Sequence, residues 1–479
     1  MIPFDNIEPM LGLWTPLPFV DGIHQRLLFP SMPKGLPPNR PPRILFCLLA
    51  PSETIIIYVG KINSHCNITM SKNTKKFDKG RKRAFRNFTR WLKENGATFP
   101  DIYFKEYGGG ERGVHSTTAI PEGKQVVKIP LRLLITEDLA KTCPYAEAFN
   151  QRPSSSDIYA PHLALITLYM LDTIEDPNHL FAPYYDILPR DVSNFPHFWG
   201  KKDRRLLENS EILGEVDQRL ERFLKDYDQL SEILPGFSER FTAGDYLWLR
   251  TLVGSRNFRL PIHGRSQSTM VPLGDMLNHN VPADVRWGFD PQEGGFTMVS
   301  KTPIAKGAQV MDSYGLKPNT KYFLHYGFAL ENIPQDRNNV HLKFTLDPND
   351  PSYHRKKDLA HGGNIGAYLA PDINQTEGKR ILDFLRIAHA SPEELEKQAR
   401  KQDPGRRNEM AARVAFADEI SQKLDHYPRT LRKNLRLLRR TKPFSNPANA
   451  LRFIIGEQII LHKILDQLLE SIENIHANP

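Results

Sequence analysis

The chain has 479 residues, 40% hydrophobic and 25% charged, with 38 prolines and a formal net charge of +9. That length allows at least one large core and two domains, and the composition is that of an ordinary soluble globular protein. Cys47, Cys66 and Cys143 show no metal-ligand spacing; this argues against a disulfide framework and against a cysteine-rich zinc site. It fits a reducing intracellular compartment, cytoplasmic or nuclear, with a plastid left open.

Residues 1–69 are proline-rich and lack sustained periodicity, and read as an extension. The apolar run 44–59 is broken by Pro51, Ser52 and Glu53, so neither half reaches the roughly 20 residues of a membrane span. No basic segment leads into a continuous apolar run, so no secretory signal is expected. Cations then crowd together: Lys72, Lys75, Lys76, Lys79, Arg81, Lys82, Arg83, Arg86 and Arg90. They read as a solvated arm entering a helix over 85–95. An acidic partner, nucleic acid or an import address is the second reading.

From 101 to 134 short β-rich runs alternate with glycine turns, and the strand 124–129 is ended by Pro130. From 138 to 248 the pattern is helical, with a buried-helix run at 162–171 and helical spacing over 216–230. β character returns between 270 and 310, so the helical block reads as an insertion in a β-rich domain. From 377 onward the periodicity is helical again. Ile381, Leu382, Leu385 and Ile387 share one face, and a longer apolar face runs from Ile454 to Leu469.

Three segments could carry chemistry. Glycines 108–110 precede Glu111, Arg112, Gly113, Val114 and His115, and glycine permits a sharp turn and close approach to a ligand. Asp275, Met276, Leu277, Asn278 and His279 follow an apolar stretch, with side chains that can hold a turn or recognise an adenine edge. A third segment ends in Asp312, Ser313, Tyr314 and Gly315. Taken singly, each is more often a turn, a satisfied core histidine or a core tyrosine. No Walker loop, His-Glu-x-x-His, Gly-x-Ser-x-Gly or strand-borne Gly-x-Gly-x-x-Gly competes with them.

In this order and spacing the three segments resemble the signature elements of SET-domain methyltransferases. Residues 181–189 (FAPYYDILP) and 245–258 (DYLWLRTLVGSRNF) are similar to the helical insert of the Rubisco large-subunit methyltransferase-like branch. Phe384-Leu385-Arg386 and Gly456-Glu457 are similar to its C-terminal domain. The resemblance covers about 85–475. It implies an α+β fold: a mostly β SET core with a pseudoknot near Tyr314, an inserted helical subdomain at about 138–250, and an all-helical substrate-binding domain over 336–475. Residues 1–84 would be a poorly ordered extension with a basic arm.

The resemblance further implies S-adenosyl-L-methionine as cofactor, no metal, and Tyr314 as catalytic tyrosine. Arg112, Gly113 and His115 would line the cofactor loop. Asn278 and His279 would contact the cofactor, Asp275 would support their turn, and Arg256 would meet its carboxylate. Tyr326 and Phe328 would flank the adenine. Glu111 stands where the family has glycine, which bears on close approach there.

The acceptor site would use Arg256, Phe258, Gly274 and Tyr314. In the histidine-methylating branch, the places of Phe258 and Gly274 look like asparagine and tryptophan. An aromatic wall facing a wall without a side chain suits a lysine stem. The expectation is therefore a monomeric protein-lysine N-methyltransferase whose partner is the protein carrying that lysine. A membrane partner is not expected, and nucleic acid through the basic arm is not favoured. A histidine acceptor and a non-catalytic SET-like binding module are the alternatives.

Overall fold

The computed structural model describes residues 55–56, 67–68, 80–108, 111–153, 156–334 and 337–477, which lie in the compact unit Glu53–Pro479. Most of the extension 1–69, Cys47 and Cys66, the cations Lys72 to Lys79, and Gly109 and Gly110 lie outside these residues.

The helix Arg81–Glu94 buries Phe88, Trp91 and Leu92 at i, i+3 and i+4 and leaves its arginines toward solvent. It starts four residues before the expected Phe85, so a boundary at 84 would cut it. An antiparallel hairpin follows, Ile102–Gly108 with Glu111–Ser116, in register Ile102 to Ser116. The expected strand forms as Gln125–Pro130 and pairs with Gly295–Ser300, which pairs with Val285–Asp290. A second three-stranded sheet joins Ile135–Thr136, Arg265–Met270 and Asn257–Ile262.

The insert behaves as its sequence dictates. Pro161–Thr173 is apolar on every face and is buried from Ala164 to Leu171, while Ile212–Ile233 is amphipathic. Ala243–Arg256 starts at a capping box, in which Thr242 and Asp245 satisfy each other's backbone N–H. That cap fixes where the helix begins, and its length then sets where Arg256 emerges. One apolar core runs through this region from Phe88 to Val310.

The C-terminal region departs from the all-helical expectation. It opens with a hairpin, Val340–Thr345 antiparallel to Asn364–Leu369. Val340, Leu342 and Phe344 point inward and alternate with more exposed neighbours, which is the two-residue period of a half-buried strand. Helices Thr376–Ala388, Pro392–Ala399, Arg406–His426, Leu431–Leu438 and Asn446–Ala477 follow. Their core includes Phe416, Phe453 and Leu461, together with Phe323 and Val216 from earlier in the chain. Among the described residues no helix is long and apolar enough to cross a membrane.

Candidate active site

The first hairpin brings Gly113 against the third segment. A Cβ at Gly113 would lie 2.4 Å from Gln309 Oε1 and 2.4 Å from the Tyr107 hydroxyl, so only glycine fits without displacing both. Next door, His115 bridges to Gln309 across the strand edge. Its Nδ1 lies 2.8 Å from the Gly307 carbonyl and its Nε2 2.6 Å from the Tyr107 hydroxyl. A carbonyl only accepts, so Nδ1 carries the proton and Nε2 accepts from Tyr107. Both ring nitrogens are therefore spent inside the protein.

Met311–Asp312 pairs in parallel with Asn278–His279. Asn278 Nδ2 donates to the Arg112 carbonyl at 2.8 Å and to Gln309 Oε1 at 2.7 Å. One amide thus ties together three segments separated by up to about two hundred residues. Gln309 lies inside a segment that the sequence singled out, but its role depends on cross-strand register, which local pattern does not show.

Behind this junction lies a buried charged group. Arg256, the last residue of its helix, donates from Nη1 to the Asp275 carbonyl at 2.9 Å and to its carboxylate at 3.2 Å. The same carboxylate oxygen accepts from Tyr184 at 2.9 Å. Leu273, with φ of 75°, holds the turn that presents Asp275; a backbone there stores on the order of 1–3 kcal/mol. Arg112 donates to the Ile187 carbonyl at 2.8 Å and lies over the Phe85 ring. Burial, then the charge of Arg256, pulls the Arg112 guanidinium down to about 9. Among the described residues, Arg112 Nη2, Arg256 Nε, Asp275 Oδ1 and His279 Nε2 are buried and make no hydrogen bond. Buried polar valence of this kind is costly unless something meets it.

Tyr314 packs against two rings. The His279 ring stacks against it with centroids 5.1 Å apart, and the Tyr326 ring stacks at 5.0 Å. Phe328 stacks on Tyr322 at 5.3 Å and meets Tyr314 at 6.3 Å. The Tyr314 hydroxyl donates to the Leu277 carbonyl at 2.7 Å, and burial raises its pKa. The Tyr314 N–H donates to His279 Nδ1 at 3.0 Å. Burial and then Lys317 push His279 down to about 4, so its ring is neutral at pH 7 and bears its proton on Nε2.

Phe258 is buried, edge to face with Trp287 at 5.0 Å and with Phe296 at 5.2 Å. Trp287 was missed in the sequence because its neighbours give no cue beyond an exposed strand. Gly274 does not leave open space as expected. A Cβ there would sit 2.8 Å from Val271 Cγ1 and 3.2 Å from Phe296 Cε1, so the core has taken that volume.

With this geometry in hand, three comparisons place the chain. Residues 347–461 match the Rubisco LSMT substrate-binding family. The crystal structure of the SET domain of LSMT bound to lysine and AdoHcy superposes with a TM-score of 0.66, at 19% identity, over 82% of this chain and 92% of that one. The fold is that of a SET domain. Rubisco LSMT bound to AdoMet superposes equally well, with a TM-score of 0.66 at 20% identity, over 82% of this chain and 93% of that one.

Among curated relatives, this SET-domain chain is 26% identical to an actin-histidine N-methyltransferase of Rhinolophus ferrumequinum, over 67% of this chain and 55% of that one. It is 28% identical to the ribosomal lysine N-methyltransferase set10 of Schizosaccharomyces pombe, over 57% of this chain and 50% of that one. The chain thus spans about half the length of these relatives. The resemblance read from the sequence to the Rubisco LSMT-like branch is borne out.

Proposed function

We propose that this chain is a protein N-methyltransferase that uses S-adenosyl-L-methionine and acts on lysine. The observation that carries this reading is the Asn278 amide, which joins the Arg112 backbone to Gln309 in a site whose half-buried Tyr314 packs against the rings of His279 and Tyr326. The residues present fit the cofactor. Arg112 and Arg256 offer unspent N–H groups for a carboxylate, and His279 Nε2–H offers a further donor. Tyr326 and Phe328 supply ring faces. When bound, the cofactor supplies an electrophilic sulfonium methyl group.

The protein's own work is positioning and desolvation. A lysine must arrive as the neutral amine, because an ammonium has no lone pair. Phe258 and Trp287 form an aromatic wall that disfavours charge. Tyr314 keeps its proton: burial raises its pKa, and its O–H is committed to the Leu277 carbonyl. Its remaining lone pair can orient an incoming amine, and it is not the base. A histidine acceptor is the second reading, favoured by the actin-histidine relatives. Against it, Phe258 stands where that branch has asparagine and offers no hydrogen-bonding group to an imidazole.

The test is transfer of labelled methyl groups to matched lysine and histidine peptides and to cell extract. Tyr314→Phe should reduce transfer at least ~100-fold with cofactor binding retained. Equal labelling by both proteins would remove the role of Tyr314, and transfer to histidine alone would remove the lysine reading.

A further inference from the structure

The described surface carries a second basic feature, remote in sequence from the 72–90 run. Between Asp425 and Glu457 the chain has no acidic residue, yet it holds Arg429, Arg432, Lys433, Arg436, Arg439, Arg440 and Lys442. The last six are exposed, and among the described residues none makes an ion pair. Three of them lie in the helix Leu431–Leu438, where Arg432 and Arg436 are four apart and Lys433 and Arg436 three apart, so they share one face. The opposite face of the helix Leu431–Leu438 is already occupied. Leu431, Leu435 and Leu438 pack on Ala448, Leu451 and Ile455, and Asn434 donates to Gln458 Oε1 at 2.9 Å. The cations therefore sit on a firmly seated helix. Phe444 follows two residues after Lys442, 72% exposed, and Leu437 is also exposed.

We infer that this surface binds single-stranded RNA. Six unpaired cations in a row are the electrostatic footprint of a polyanion. Four of the six are arginines, whose planar heads both pair with phosphate and stack on bases. An exposed aromatic ring at the end of such a row is a stacking platform for an unpaired base. A membrane surface fits less well, because the leucine face that would enter lipid is consumed by the core. An acidic peptide would use the charges but not Phe444. The inference does not rest on methyl transfer.

The experiment is fluorescence anisotropy of the full chain with labelled oligouridine, titrated between about 50 and 200 mM salt. Polyglutamate and phosphatidylserine vesicles serve as competitors. The expected log–log salt slope is about 4 in magnitude, from roughly 0.7 per phosphate contact. Replacing Arg432, Arg436, Arg439 and Arg440 together by Gln should lower it to about 1. Phe444→Ala should weaken binding roughly five- to hundredfold with the slope unchanged. Only exposed side chains change, and circular dichroism checks folding; should the quadruple variant misfold, Phe444→Ala still decides. Binding indifferent to both variants overturns the inference, as does tighter binding of polyglutamate or vesicles than of oligouridine.

Discussion

Arg386, in the C-terminal helices, spends its guanidinium on carboxylates, reaching Glu409 at 2.5 and 2.9 Å and Asp383 at 2.5 Å. Arg407 is likewise spent on Glu394, whose carboxyl is held down at about 2, first by that arginine. Arg112 and Arg256, in the SET region, are more deeply buried and share a single carboxylate, Asp275, which only Arg256 touches. Paired charges in the first region stitch helices together at little net gain. Under-paired charges in the second are a liability for folding alone, and under the proposed function they face the cofactor.

Asp275→Asn tests this contrast most severely. Arg256 would lose its ion pair and Arg112 its nearby counter-charge, and the expected loss is about 3–5 kcal/mol in urea unfolding of the full chain. A loss below ~1 kcal/mol would mean the cluster is effectively solvated. Next comes Gly113→Ala, which pushes on Gln309 and Tyr107. Calorimetry should show cofactor affinity falling about 10- to 100-fold while unfolding changes little. Undiminished affinity would take Gly113 out of the ligand loop.

Titration should separate the regions by sign. Burial pushes Glu457 up to about 7, so the fold favours its protonated form. Its contribution is full below the unfolded value near 4.5 and is lost as pH rises through 7. Glu457→Gln should remove that loss and gain about 1–2 kcal/mol at pH 8. His279, pushed down to about 4, behaves oppositely: its contribution is full above 6.5 and is lost as pH falls through 4. A single stability maximum unaffected by Glu457→Gln would contradict this assignment. The smallest effect belongs to the paired region. Arg386→Gln should cost about 1 kcal/mol or less, and more than ~3 would make that network a core feature.

Much of this site was legible as isolated residues. Asn278, His279 and Tyr314 carry chemistry-specific side chains, Gly113 carries none where the backbone comes close, and the structure gathers all four. Gln309, Tyr107 and Trp287 were not legible, because their roles come from register between strands far apart in sequence. Gly274 was misjudged for a related reason. The sequence shows a missing side chain, but not that Val271 and Phe296 fill its place. The strand Val340–Thr345 does alternate in its sequence; the all-helical expectation for 336–475 was an implication of the resemblance.

The Asn278 amide has one more consequence. With both hydrogen bonds of Nδ2 committed, to a backbone carbonyl and to Gln309, the group cannot rotate end for end without losing them. It therefore presents a fixed negative pole. Under the proposed function, a ligand portion bearing N–H is welcomed there and one bearing only oxygen lone pairs is repelled, so the site would sort amine from carboxylate by a dipole that carries no net charge and does not titrate.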